Sequence, residues 1–343
     1  MLAATMALSA ATLMASGAEA SPSAIASLPT PEATSTTAAG VSYGTYSDLA
    51  YVAGGNSQQV LDLYVPKQTS GPTPLVVYVH GGGWSGGNKS ELTSQKGWDT
   101  LLSKGFAVAT VNYTLSGTAV FPQQIYDVNA AIRYLRSVKG KYRLSGNIGL
   151  MGESAGGQLA ALAGATCEVS SLQNTEGVTK GSSCVQAVFD GMGPTDFLEM
   201  DSHLYDDKSS KHDPPSSGES RYLGCTQGLS ACPASTVERA NPITYITSAA
   251  KLPPYYIVHG DADTAVPHYE SEILFNALTS VCADVTFDTM HGQNHFLFLA
   301  GALDPPYPAQ TIQSSKNCSP VTSTEDTSLT WAGITSYFGS HVH

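Results

Sequence analysis

The chain has 343 residues, of which 42% are hydrophobic and 13% charged, an ordinary composition for a globular protein that buries a sizeable core. Its formal net charge of -12 argues against a nucleic-acid partner, because phosphate binding requires concentrated Lys and Arg. The same charge disfavours electrostatic attachment to an anionic membrane.

The first 40 residues have the pattern of a targeting segment followed by a leader. Residues 2–15 are small and apolar, and Ala18-Glu19-Ala20 offers an A-x-A cleavage site, so residues 1–20 are predicted to be a secretory signal peptide. No Lys or Arg precedes the apolar stretch, which departs from the usual pattern. Residues 21–40 are rich in Ser, Thr, Pro and Ala and predict a flexible leader. We therefore expect a secreted or periplasmic protein with one folded domain at 41–343.

The six cysteines agree with export, because structural disulfides persist in oxidising compartments. None lies in a C-x-x-C motif, so neither redox nor zinc chemistry is indicated. Their positions favour sequence-local pairing, although other connectivities stay open. The favoured pairs are Cys167 with Cys184, Cys225 with Cys232, and Cys282 with Cys318.

Taken in order, the chain alternates between strand and helix patterns. Two β-rich runs at 41–52 and 58–65 predict an antiparallel start to a sheet. Apolar runs then predict buried strands at Pro74–His80, Phe106–Tyr113, 147–151, Val185–Phe189, Tyr255–His259 and Val285–Met290. Helices are predicted at Leu92–Leu102, Gln123–Val138, after Gly157, at His268–Thr279 and at Leu329–Phe338. This alternation predicts an α/β fold with a mostly parallel central sheet flanked by helices, whose chemistry lies at the carboxyl ends of the strands.

The alternation stops between Gly193 and Leu252, where Pro-rich breaks and little periodicity predict a lid-like insertion over the end of the sheet. Such insertions often shape substrate access. His203, His212 and nearby aspartates could be metal ligands, but their spacing is not that of a ligand set. A solvated polar loop is the preferred interpretation, and no metal site is predicted.

The segment Gly152-Glu153-Ser154-Ala155-Gly156 is a G-x-S-x-G motif between a predicted strand and a predicted helix. A serine exposed on such a sharp turn is typical of a nucleophile elbow, although a plain strand-to-helix turn can have the same pattern. Three more signals follow strands. The HGGGW segment at 80–84 can aim backbone N–H groups at an oxyanion, and the alternative is a glycine turn.

The other two signals supply an acid and a base. HGDADTAVP at 259–267 offers Asp263 as the preferred carboxylate, with Asp261 as the alternative, although either could instead cap the following turn. HGQNH at 291–295 offers His295 as the base, with His291 as the alternative. The order Ser, Asp, His along the chain is that of α/β-hydrolases. His295 would take the Ser154 proton and return it to the leaving group.

HGGGW, GESAGG, HGDADTAVP and GQNH together resemble the hormone-sensitive-lipase-like esterases of the α/β-hydrolase fold, closest to the bacterial feruloyl and acetylxylan esterase branch. The resemblance runs from about Pro74 to His295. It implies Ser154 as nucleophile, Asp263 as acid and His295 as base. It also implies that backbone N–H groups form the oxyanion hole, those of Gly82, Gly83 and Ala155.

Two departures from the resemblance stand out. Where relatives have an arginine, this chain has Thr114, which leaves a helix carboxylate such as Asp127 without that partner. The insertion at 193–252 and the segment GALDPPYPAQ after His295 match no family pattern. Substrate choice is expected there. Trp84 is a further candidate for stacking on a sugar or aromatic ring, and the alternative is a place in the core.

The leading hypothesis is therefore a secreted serine carboxylesterase, acting without cofactor or metal on a small ester or an esterified polysaccharide. Acetyl or feruloyl esters of plant polysaccharide are the candidate substrates. A lipase or a prolyl-oligopeptidase-like peptidase shares the fold, but the chain lacks a long apolar lid helix and a propeller-sized leader. The alternative from another class of protein is an inactive hydrolase fold that serves as a binding module. The presence of all three triad residues argues against it.

Overall fold

The computed structural model describes residues 29–67, 70–295, 303, 308–326 and 329–343. The expected signal peptide and the first part of the expected leader lie outside these residues. The strands are β1 Ala33–Thr36, β2 Ser42–Ala50, β3 Val60–Pro66, β4 Thr73–Val79, β5 Ala107–Val111, β6 Leu144–Glu153, β7 Ala187–Gly191, β8 Tyr255–Gly260, β9 Val285–Met290, β10 Gln310–Ser315 and β11 Thr322–Asp326. The α-helices are α1 Glu91–Ser94, α2 Thr100–Ser103, α3 Gln123–Ser137, α4 Lys139–Tyr142, α5 Ala155–Thr166, α6 Gly218–Leu223, α7 Ala234–Ala240, α8 Tyr269–Ser280 and α9 Trp331–His341.

The strands of the described residues form one sheet in the order β1-β2-β3-β5-β4-β6-β7-β8-β9-β10-β11. The six central strands from β5 to β9 pair in parallel, and antiparallel strands extend both edges. The predicted α/β-hydrolase fold is thereby confirmed. Because β4 lies between β5 and β6, the direction of strand addition reverses beside it, and such switch points open a crevice at the strand ends.

Strand β4 shows why its apolar run is continuous. Leu75, Val77 and Val79 point into the core on the side of α3, α5 and α8. Val76 and Tyr78 point into the opposite core, which contains residues of α2 and α9. Because successive side chains in a strand face opposite ways, a strand covered on both faces must be apolar at every position. The sheet is therefore a rigid platform for the loops at its carboxyl end.

Three segments differ from the predictions. Part of the expected leader, Ala33–Thr36, pairs with β2 as an exposed edge strand. The sheet also continues beyond the strand predicted as the last, through β10 and β11. The single helix predicted at Leu92–Leu102 is instead two short helices. Gly97 lies between them with φ of +88°, and a Cβ there would collide with the Trp331 ring.

The insertion at 193–252 is packed against the domain over much of its length. It contains α6, α7 and four 3-10 turns, at Met200–Ser202, Leu229–Ala231, Pro242–Tyr245 and Ala249–Lys251. Its buried residues Phe197, Tyr222 and Val237 join the core on the α5 side. These packed residues therefore hold the loops of the insertion in place over the carboxyl end of the sheet.

Asp127, whose helix carboxylate was expected to lack an arginine partner, has neutral partners instead. Its carboxylate accepts hydrogen bonds from the backbone N–H of Thr114 at 2.7 Å, from Gln59 Nε2 at 2.7 Å and from Gln123 Nε2 at 3.0 Å. Burial nevertheless raises the pKa of Asp127. Neutral donors thus satisfy a carboxylate that lies beneath the loop following β5.

The disulfides join Cys167 to Cys184, Cys225 to Cys232 and Cys282 to Cys318, which are the favoured pairs. Each bond closes a short segment of the chain.

Among the helices of the described ranges, none combines the length and apolarity that a membrane crossing requires.

Four buried carboxyl groups are expected to stabilise the fold less as pH rises from 5 to 8. Burial raises the pKa of Glu153, Asp190 and Asp288 to about 7 and that of Glu270 to about 8. Between the ordinary carboxyl pKa and these values the folded state retains protons that the unfolded state has released, so their stabilising contribution is present at acidic pH and lost as pH rises. Glu270 accepts from the N–H groups of Thr195 and Asp196, each at 2.6 Å.

The variant Glu270→Gln keeps the shape and an acceptor oxygen but does not ionise. Its Tm should therefore decline less between pH 5 and 8 than that of the parent, by a few degrees. Glu238→Gln, at an exposed position on α7, is the matched control and should follow the parent curve. An unchanged pH slope in Glu270→Gln would contradict this account.

Candidate active site

Ser154 stands on a sharp turn between β6 and α5. Its backbone has φ of +54°, a conformation that is strained for a residue with a side chain. The flanking glycines are required by close approach: a Cβ at Gly156 would overlap the carbonyl oxygen of Val79, and one at Gly152 would overlap that of Gly156. The turn therefore has the geometry of a nucleophile elbow, with β4 packed directly against the start of α5.

Three side chains predicted from the sequence lie in one hydrogen-bonded series. His295 Nε2 is 2.9 Å from Ser154 Oγ, and His295 Nδ1 is 2.7 Å from Asp263 Oδ2. A carboxylate accepts only, so the Nδ1 proton faces Asp263 and the Nε2 lone pair faces the serine hydroxyl. This arrangement can remove a proton from Ser154 and stabilise the imidazolium that forms.

Asp263 is held as a carboxylate by its surroundings. Its other oxygen, Oδ1, accepts from the N–H groups of Ala265 at 2.7 Å and Val266 at 2.9 Å. Burial alone would raise the pKa of Asp263, but hydrogen bonds from His259 and His295 outweigh it and hold that pKa well below its usual range. Asp263 is therefore ionised at neutral pH.

The two alternatives left open by the sequence pair with each other. His291 Nδ1 is 2.8 Å from Asp261 Oδ2, and His291 Nε2 is 2.7 Å from Thr311 Oγ1 on β10. This second pair is partly exposed. Its hydrogen bonds among the described residues do not include one to Ser154. Its contacts tie the loop after β9 to the loop after β8 and to the sheet edge.

His259 is a residue of the site that the sequence analysis did not assign. At the end of β8, its Nε2 is 3.0 Å from the same Asp263 oxygen that His295 contacts, and its Nδ1 is 2.7 Å from Ser271 Oγ. Burial lowers the pKa of His259, so a neutral ring donates from Nε2 and accepts from the Ser271 hydroxyl. The sequence feature that could have indicated His259 is its position four residues before Asp263 in HGDAD.

The glycine loop after β4 borders the serine. Gly82 and Gly83 line the same cavity as Ser154 and both have positive φ; no backbone hydrogen bond of the described residues uses their N–H groups as donors. Ala155 is the first residue of α5, where a helix N–H has no intrahelical partner. The Tyr113 hydroxyl donates to the carbonyls of His80 and Gly81 and fixes the start of the loop.

A cavity of about 530 Å³ opens above these groups. Met192, Ala265 and Val266 form an apolar part of its wall, and residues of the insertion form a polar part. The polar part consists of Ser210, Lys211, His212, Ser217, Glu219 and Arg221. The insertion thus lines the cavity that contains Ser154 and His295.

The prediction that Trp84 stacks on substrate is wrong. Its side chain is 1% exposed, with its ring stacked on Tyr222 at 4.4 Å and edge-on to Phe197. Its indole N–H donates to Gln158 Oε1 at 3.0 Å. Trp84 therefore joins the glycine loop, α5 and the insertion in one core, and the stacked Tyr222 ring occupies a face that a ligand would need.

The histidines of the insertion have other partners than a metal. His203 stacks on Tyr269 with ring centroids 3.6 Å apart, and His212 Nδ1 is 3.1 Å from Glu219 Oε1. Over the described ranges, His, Cys, Asp and Glu side chains form no group of three or more that could hold a metal ion.

The fold and the serine elbow define the chain as an α/β-hydrolase. The chain belongs to the BD-FAE family, whose model matches residues 61–278. The matched range contains the glycine loop, Ser154 and Asp263, and it ends before His295. The resemblance to hormone-sensitive-lipase-like esterases is thereby confirmed.

Curated relatives and solved structures agree with this assignment. The chain is 27% identical over 271 residues to esterase LipQ of Mycobacterium tuberculosis, across 78% of this chain and 60% of that protein. It is 25% identical over 265 residues to a probable isoprenylcysteine alpha-carbonyl methylesterase, ICMEL1, of Arabidopsis thaliana, across 74% of this chain and 52% of that protein. The chain thus spans little more than half the length of these relatives. A truncated carbohydrate esterase from gut microbiota superimposes with a TM-score of 0.70 at 27% identity, covering 86% of this chain and 95% of that one.

Proposed function

We propose that the protein is a serine carboxylesterase that forms an acyl-enzyme on Ser154. The observation that carries this proposal is the hydrogen-bonded series from Ser154 through His295 to Asp263, which ends in an open cavity beside the glycine loop. The esterase names of the relatives support the same reaction class.

The reaction follows from the placement of these groups. His295 Nε2 takes the Ser154 proton as Oγ attacks the ester carbonyl, and the backbone N–H groups of Gly82, Gly83 and Ala155 stabilise the oxyanion. His295 then gives the proton to the leaving alcohol, and an acyl group remains on Ser154. In the second half, His295 takes a proton from water as the water oxygen attacks the acyl-enzyme, and it returns that proton to Ser154 Oγ as the acid is released. No step requires a cofactor or a metal.

The proposed substrates are short acyl esters, and in particular acetyl or feruloyl esters of plant polysaccharide. The polar part of the cavity wall suits a hydroxylated partner, and the fold is close to that of a carbohydrate esterase. The three disulfides support our further proposal that the protein is exported, because such bonds persist in oxidising compartments.

Release of acetate and ferulate from acetylated and feruloylated xylan, compared with turnover of p-nitrophenyl acetate, tests the substrate class. We expect one of the two acids to be released by the parent protein and not by Ser154→Ala. Turnover of the simple ester with no acid released from xylan would leave the esterase but refute the polysaccharide substrate. A marked rise in activity on emulsified long-chain esters would indicate a lipase instead.

A further inference from the structure

His212, in the insertion, is a buried histidine on the wall of the active-site cavity that the triad does not use. The residue is 3% exposed and lines the same cavity as Ser154 and His295. Its Nε2 atom is buried and has no hydrogen-bond partner among the described residues. A buried polar atom without a partner is costly, so a group that satisfies it on binding would gain affinity.

Glu219 sets the chemistry of that atom. Its Oε1 is 3.1 Å from His212 Nδ1, and both side chains are at most 9% exposed. Because a carboxylate only accepts, the ring proton of a neutral His212 lies on Nδ1 and the Nε2 lone pair is left as an acceptor. The ring therefore suits a donor such as a hydroxyl group.

The position of His212 is fixed before any ligand arrives. The Asp201 carboxylate accepts the backbone N–H of His212 at 2.8 Å and that of Asp213 at 3.0 Å. The Asp213 carboxylate in turn accepts the N–H of Ser230 at 2.7 Å, and the Asp213 carbonyl accepts the N–H of Leu229 at 2.9 Å. Prior fixation of a polar group lowers the entropy cost of using it for recognition.

We propose that His212 Nε2 accepts a hydrogen bond from a free hydroxyl on the alcohol half of the substrate and so selects esters of sugars. The remaining polar wall, with Ser210 and Ser217, lies on the same insertion, whereas the apolar wall of Met192, Ala265 and Val266 suits the acyl half. This proposal rests on the proposed esterase function and specifies the alcohol that the site takes.

The test compares two acetyl esters that differ only in hydroxyl groups: a methyl 3-O-acetyl-xyloside and its analogue with the free ring hydroxyls replaced by hydrogen. The parent protein should prefer the hydroxylated ester in kcat/KM by roughly tenfold, because a site built to accept a hydroxyl loses that bond with the analogue. His212→Phe should remove this preference. Since that change leaves Glu219 buried without its partner, the double variant His212→Phe with Glu219→Leu is measured beside it.

His203→Phe is the matched control, because this histidine is also in the insertion but does not line the cavity, and it should keep the parental preference. A preference that survives in both His212 variants would overturn the proposal. Methyl ferulate, whose free hydroxyl is on the acyl half, is measured with the same variants, and a fall in kcat/KM confined to methyl ferulate would also overturn it. If the parent hydrolyses none of these esters, the proposed function itself fails.

Discussion

Replacing Ser154 with alanine is expected to lower kcat on p-nitrophenyl acetate by about 10⁴-fold or more, since an acyl-enzyme cannot form without the hydroxyl. The fold should persist, because alanine removes one oxygen atom and Ser154 donates its backbone N–H to Gly191 at 2.7 Å independently of its side chain. Serine and alanine both carry a Cβ and are strained alike at this positive φ, so the variant should melt close to the parent temperature.

The matched control is Ser85→Ala, because Ser85 lines the same cavity but lies outside the triad. Its kcat should stay within a few-fold of the parent value. Ser154→Ala retaining more than a hundredth of parental kcat, with contaminating hydrolase excluded by active-site titration, would refute the acyl-enzyme.

Replacing Asp263 with asparagine is expected to lower kcat by about 10⁴-fold. The asparagine amide can donate to His295 Nδ1, which would place the ring proton on Nε2 and prevent that atom from accepting the Ser154 proton. The same change also removes the carboxylate beside His259 Nε2, which keeps the Val266 carbonyl at 3.1 Å as an acceptor. KM should change far less than kcat, because Asp263 does not line the cavity.

Asp261→Asn provides the comparison, since Asp261 is two residues away and pairs with His291 rather than His295. This variant should retain kcat within about tenfold. Equal losses in the two variants would mean that the loop as a whole, and not the Asp263 carboxylate, supports the reaction.

The residues of the candidate site could be located from the sequence because each belongs to a short motif that follows a strand. Chain order and glycine spacing placed Ser154, the glycine loop and two candidate acid and base pairs at the correct edge of the sheet. Both Asp261 and Asp263 follow β8, and both His291 and His295 follow β9, so the motifs left the alternatives open. Asp263 and His295 were preferred, and the resemblance supported that preference. Only the three-dimensional structure shows that the outer pair is bonded to itself.

Other features could not be predicted because their determinants are distant in sequence. Strands β10 and β11 are rich in Ser, Thr and Gln and lack an apolar alternation, since they extend an edge that is largely exposed. Trp84 follows a glycine loop, where an aromatic ring suggests a ligand contact. Its burial depends on Tyr222 and Phe197, more than 100 residues away in the chain.

His212 illustrates the same limit within the insertion. Its sequence surroundings, KHDPPSSGES, are those of a solvated loop. In the structure the ring is buried, with Glu219 beside it, and the backbone N–H of His212 donates to the Asp201 carboxylate. The residue types were visible in the sequence, whereas the pairing that gives them a chemical role was not.

Covalent labelling with a fluorophosphonate, followed by mass spectrometry of the digested protein, tests the central claim most directly. Such a probe reacts with a serine whose hydroxyl is activated by a neighbouring base and whose oxyanion is stabilised. We predict a single adduct on the peptide that contains Ser154, absent from Ser154→Ala and strongly slowed in Asp263→Asn. An unlabelled Ser154 in folded protein, or an adduct on another serine, would contradict the account.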